Sequence, residues 1–164
     1  MGPANCMRCD RRWERWAWRQ GYRRVAGVDE VGRGALFGPV VAAAVILDPG
    51  RVIRGLNDSK QLQPEDREVL SARIRETAVA VGIAAVDAAR IDLLNIAVAS
   101  RLAMRRAVKA LDPAPDYLLV DFMTIDLPLP QRGLIHGDCR SVSIAAASIV
   151  AKVERDAWMR AWDS

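Results

Sequence analysis

Two adjacent carboxylates, Asp29 and Glu30, close the apolar segment Val25-Ala26-Gly27-Val28, and a third, Asp121, closes Tyr117-Leu118-Leu119-Val120. Asp138 follows Leu134-Ile135-His136 and offers a further oxygen. A charge at the end of a buried segment is costly: without a partner the carboxyl is driven neutral, whereas a divalent cation offsets the desolvation and keeps it ionised. An exposed strand end accounts for Asp29-Glu30 equally well. Successive strand residues face opposite ways, so this pair reaches one site only where the strand ends or bulges, and Gly32 and Gly34 would permit that break. Sites in open α/β sheets gather at the carboxyl ends of strands, where Asp29 and Asp121 would meet. Carboxylates crowded into one pocket repel unless hard cations lie between them, and oxygen-only ligation favours magnesium or manganese over zinc. The chemistry that fits is two-metal phosphodiester hydrolysis.

Other segments have weaker chemistry. Gly32-Arg33-Gly34 combines close backbone approach, amides that can face phosphate and a guanidinium, although a plain turn with an exposed arginine reads the same way. Asp58-Ser59-Lys60 has the groups to bind a phosphate, and taken alone is read as the cap of the next helix. His136 is the only histidine, which excludes multi-histidine zinc sites. Cys6 and Cys9 have zinc-knuckle spacing but lack two further ligands nearby, so the three cysteines are expected to be reduced thiols.

The elements that must position these residues follow from pattern. Arginines alternate with Trp13, Trp16 and Trp18 over 11–24, predicting a short helix packed on the core; Trp158 and Trp162 are likewise expected to pack. Buried strands are expected at 25–31 and 40–47, paired as a hairpin, with a third at 78–86. A helix should open at Pro64 and run to about Thr77, and a second should span 91–111. Tyr117 to Val120 reads as a strand, 133–136 as a fifth, and Ser141 or Ser143 as the cap of a closing helix. The sum is an α/β fold: a mixed five-stranded sheet flanked by helices.

The 164 residues, 51% hydrophobic and 27% charged, suit one core. The longest apolar run, Val40 to Leu47, is too short to cross a bilayer, and a cytoplasmic protein with no membrane partner is expected. Residues 1–24 carry a net charge of +5 against −1 for the rest, a basic extension suited to an anionic partner such as nucleic acid, or simply a solvated helix.

Assembled, Val28-Asp29-Glu30-Val31-Gly32-Arg33-Gly34, Gly38-Pro39-Val40-Val41-Ala42-Ala43-Ala44-Val45, Asn57-Asp58-Ser59-Lys60-Gln61-Leu62, Leu119-Val120-Asp121, Gly137-Asp138 and the run from Ser143 to Asp156 resemble ribonuclease HII. The resemblance implies a ribonuclease H-like fold over 25–164, behind a basic extension over 1–24. It also implies an endoribonuclease dependent on Mn2+ or Mg2+, with two ions during catalysis. Its substrates would be RNA–DNA hybrids and duplex DNA containing misincorporated ribonucleotides, cut by a monomer to give 3′-hydroxyl and 5′-phosphate ends. By motif position, Asp29, Glu30, Asp121 and Asp138 would be the catalytic, metal-holding acids. Gly32, Arg33 and Gly34 would read the ribonucleotide, Ser59 and Lys60 would hold the backbone, and Asp156 would be a structural ion pair. Ala35, Phe37, Phe122 and His136 depart from the family pattern by adding bulk or removing charge. The family continues beyond the position of Ser164 with helices carrying a junction-reading tyrosine and basic duplex-binding surface. The alternative is therefore a catalytically impaired nucleic-acid-binding remnant or a fragment of this family.

Overall fold

A computed structural model describes residues 9–35, 37–57 and 59–163. Its sheet is ordered β3-β2-β1-β4-β5. β1 (Val25–Val31), β2 (Val40–Ile46) and β3 (Ala80–Val86) form an antiparallel meander, and β4 (Tyr117–Asp121) and β5 (Gln131–Leu134) continue it in parallel from β1. β2 is buried along its whole length because helices cover both of its faces.

Period-two alternation divides the core. Ala26, Val28, Ala42, Ala44, Leu118 and Val120 face α4 (Ile96–Lys109), while Val41, Ala43 and Val45 face α5 (Val142–Trp162) and α2 (Pro64–Thr77). α1 (Arg12–Arg19) lies against Val25, Tyr117, Leu119, Leu134 and Ile144 through Trp13, Trp16 and Trp18, as its aromatic spacing predicts. The Arg132 guanidinium stacks 4.5 Å from the Trp13 ring centroid. β1 can lie so close to α5 only because Gly27 lacks a side chain: a Cβ there would sit 2.1 Å from the Ser143 carbonyl carbon. None of the helices among the described residues is long and apolar enough to cross a membrane.

Four expectations are corrected. The helix expected over 91–111 is two, α3 (Ala88–Leu94) and α4, because Asn95 takes a positive φ of 70° with an extended ψ of 163°, which no helix can continue through, and its side chain accepts from Val98 N to start the second. β5 begins and ends two residues early because His136, at φ 53°, turns the chain into a 3₁₀ turn over Gly137–Cys139. Trp162 is 65% exposed and Trp158 39%, since the last turns of α5 face solvent. Cys139 is disulfide-bonded where a reduced thiol was expected; Cys6 lies outside the described residues. Between Ser141 and Ser143, the cap of α5 is Ser141, whose hydroxyl accepts from Ile144 N.

Candidate active site

Parallel pairing of β1 with β4 ends at Val28 and Val120, so Asp29 and Asp121 are the next residues on neighbouring strands. Strands lie about 4.8 Å apart, and equal register sends both side chains to the face that Gly27 and Leu119 share with α5. Asp138 arrives from the 3₁₀ turn that precedes α5. That turn is fastened to the sheet by the Gly137 amide, which donates to Asp121 Oδ1 at 2.7 Å.

The expected break at Asp29-Glu30 does not occur. β1 runs on through Glu30 and Val31, paired with Ala42 and Val41 of β2. What opens is the β4 side, unpaired beyond Val28, and there Glu30 and Asp121 share the wall of one cavity. Asp29 lies beneath it, buried, its Oδ1 accepting from Glu30 N at 2.8 Å.

Burial raises the Asp29 pKa well above its usual 3.8, and repulsion from Asp121, Glu30 and Asp138 adds to the effect. Glu30 is raised for the same first reason and by Asp121, with Arg33 pulling the other way. Every charged group acting on Asp29 is thus another carboxylate, a set of oxygens short of positive charge. Magnesium and manganese match such donors, so the residues present fit a divalent cation. Among the described residues, no three acid, histidine or cysteine side chains are drawn together tightly enough to form a finished cage. Asp121, Glu30 and Asp138 all act on Asp29, and Asp121 acts on Glu30, without that closure.

The cavity, about 470 Å³, is completed by Val31, Gly32, Arg33, Gly34, Ser59, Lys60 and Lys152. The Ser59 hydroxyl is buried against Ser148 Oγ at 2.9 Å, so its side chain is engaged in the interior. Ser59 and Lys60 do not cap α2, whose N-cap is Gln63 with Pro64 in its first turn; Asp58 lies outside the described residues. The two glycines differ. Gly32 sits at φ 94°, where a Cβ would meet the Pro39 carbonyl oxygen at 2.6 Å and Arg155 Nε at 2.5 Å, whereas around Gly34 nothing lies within 4 Å. Gly32→Ala is therefore expected to cost about 1–3 kcal/mol in a denaturant melt, and Gly34→Ala to leave stability within about 0.5 kcal/mol.

Two residues that sequence reasoning passed over shape this cavity. Lys152 lines it while donating to Asp156 at 2.9 Å. Arg155 is buried and holds the glycine-containing loop through Pro39 O at 2.9 Å and Phe37 O at 2.6 Å. The signal for Arg155 was present: Ile144, Ser148, Ala151 and Arg155 fall on one helical stripe, and the first three are buried. Asp156 forms ion pairs with Lys152 and, at 3.9 Å, with Arg67, whose guanidinium also holds the Ser59 and Leu62 carbonyls. Phe37 and Phe122 are 76% and 63% exposed, and Phe122 carries its side chain at φ 69°.

The family model for ribonuclease HII matches residues 26–163. The chain belongs to the ribonuclease HII family. A ribonuclease HII of Solibacter usitatus is 64% identical over 156 residues, 95% of this chain and 68% of that protein. One from Koribacter versatilis is 60% identical over 95% of this chain, with 61% of its own length covered. Across curated ribonucleases HII the chain spans 54–74% of the relative's length. The ribonuclease H2 of Pyrococcus horikoshii superposes with a TM-score of 0.77 at 26% identity, over 86% of this chain and 76% of that one. Bst-RNase HIII in complex with Mn2+ gives 0.72 at 25% identity, over 84% and 53%. These likenesses establish the ribonuclease H-like fold expected from the motifs.

Proposed function

We propose that this ribonuclease HII family member is an endonuclease that hydrolyses the RNA strand of RNA–DNA hybrids and cuts at single ribonucleotides in duplex DNA. The observation that carries the reading is the meeting of Asp29, Glu30, Asp121 and Asp138, from three distant segments, beside a cavity walled by Gly32, Arg33, Gly34, Lys60 and Lys152. The reading takes the chain to act as a monomer.

The acids would hold a pair of Mg2+ or Mn2+ ions. Bound there, the cations supply positive charge to the carboxylates and polarise water and the scissile phosphate. The chain's own residues do the rest. Arg33, exposed at the rim, presents its guanidinium to a phosphate. Gly34, with open space where a side chain would be, lets the nucleic-acid backbone reach the loop's amides, the place to sense the 2′-hydroxyl that separates RNA from DNA. Lys60 and Lys152 place ammonium groups on the far wall, where the flanking backbone would pass.

A nicking assay tests this. The purified chain with Mn2+ is expected to nick a duplex bearing one ribonucleotide, leaving a 3′-hydroxyl and a 5′-phosphate. Asp121→Asn should lower the rate at least about a thousandfold, or about 4 kcal/mol of barrier. Duplex binding without nicking at any Mn2+ or Mg2+ concentration would favour the non-catalytic remnant.

A further inference from the structure

We propose that Glu14, on α1, is a positioning residue for Asp138, and that the N-terminal helix thereby sets the geometry of the acid cluster. This rests on Asp138 acting in the site described above.

Glu14 is only 2% exposed. A buried carboxylate is costly unless its oxygens are satisfied, and this one is satisfied by half. Its Oε1 accepts from Ser141 Oγ at 2.5 Å and from the Ser143 amide at 3.1 Å, both at the start of α5. Its Oε2 is buried with no hydrogen-bond partner among the described residues. Capping alone does not need this arrangement, because Ser141 already caps α5 through Ile144 N at 3.2 Å. What the carboxylate adds is a tie between α1 and the end of the turn that carries Asp138.

The turn is held at both ends. At its start, Gly137 N donates to Asp121 Oδ1. Within it, the Arg140 and Ser141 amides donate back to Gly137 O at 2.9 and 2.8 Å, which makes it a stiff unit. At its end stand Glu14 and a backbone bond from Val142 N to Asp10 O at 3.2 Å. From beside it, the Cys9 thiol donates to Asp138 O at 2.7 Å. Residues 9–14 thus grip the segment 138–143 at three points, and of the three only Glu14 contributes a charged acceptor at the positive end of a helix. Asp138 lies three residues before Ser141, too close for Glu14 to act on one without moving the other.

Glu14→Ala and Glu14→Gln in the full chain separate this role from general support, since glutamine keeps one acceptor oxygen and offers an amide at the Oε2 position. Glu14→Ala, assayed where it is folded, is expected to lower kcat about tenfold or more and to raise the Mn2+ dissociation constant in calorimetry by a similar factor, with KM for the duplex within about twofold. Glu14→Gln should restore both to within about threefold. If Glu14→Ala does not fold, Ser141→Ala removes the hydroxyl donor and should move the same quantities in the same direction. A metal-independent readout is amide hydrogen exchange, expected to quicken at least tenfold over 137–143 in the alanine variant while β2 and α4 stay unchanged. A lowered Tm with native kcat, Mn2+ affinity and exchange, or a glutamine variant as impaired as the alanine one, would overturn the proposal. An unaltered parent chain that neither binds Mn2+ nor nicks would instead overturn the nuclease reading, and the exchange result would still stand for the turn.

Discussion

Asp29→Asn is expected to give a protein that no longer cuts its duplex but melts at a higher temperature than the parent when both are free of divalent ions. The carboxyl is buried and its pKa is raised, first by desolvation and then by Asp121, Glu30 and Asp138. A raised folded-state pKa means the native chain holds that proton more tightly than the unfolded chain does. Stability therefore falls as pH climbs from the ordinary 3.8 through the raised native value, and the loss is complete above it. Asparagine removes the charge and keeps the oxygen that accepts from Glu30 N. At pH 7 the gain should be about 1–2 kcal/mol, or roughly 2–8 °C in Tm, and it should vanish below pH 4, approximately the unfolded pKa. Adding Mn2+ should raise the Tm of the parent more than that of the variant, while nicking by the variant falls at least about a thousandfold, worth about 4 kcal/mol. Equal melting temperatures for parent and variant across pH 4–8 would show that the charge carries no folding cost.

Gly27→Ala is expected to do the most damage to the fold. The added carbon would lie 2.1 Å from Ser143 C, 2.2 Å from its oxygen and 2.4 Å from Ile144 N, all backbone atoms with no rotamer to change. α5 must then move away from β1 along the contact that underlies the acids on that face of the sheet. A loss of about 3 kcal/mol or more, equivalent to roughly 6–12 °C in Tm, is expected. Because Asp29 is two residues further along the same face and Asp138 precedes the same helix, Mn2+ affinity should fall with stability. A variant melting within about 2 °C of the parent would contradict the packing.

Much of the arrangement could be read from residues whose types conflict with their neighbours. Acids ending apolar runs marked Asp29 and Asp121, and Pro64 marked the start of α2 at the residue where it begins. The features that were missed depend on the opposite sheet face or on a single dihedral angle. Apolar spacing passes straight through Asn95, so the α3–α4 break was hidden in a residue that tolerates positive φ. Ile135 and His136 have strand-like composition, yet the chain turns there. A broken strand was expected to bring Asp29 and Glu30 to one site; instead β1 stays intact, and Glu30 meets Asp121 where that strand lacks a neighbour along one edge. Arg155 was passed over because its charge draws no attention on a helix, yet its position buries it.

The chain order of the sheet also governs when the acids can meet. β1 and β2 join through a short connection and β3 adds to β2 after α2, all within the first 86 residues, whereas β4 must return to β1 across the α3–α4 crossover before Asp121 stands beside Asp29. Closing that long loop is entropically expensive and late. Asp121 and Asp138 are therefore expected to join Asp29 only after that crossover has closed, so the carboxylate cluster should assemble late in folding.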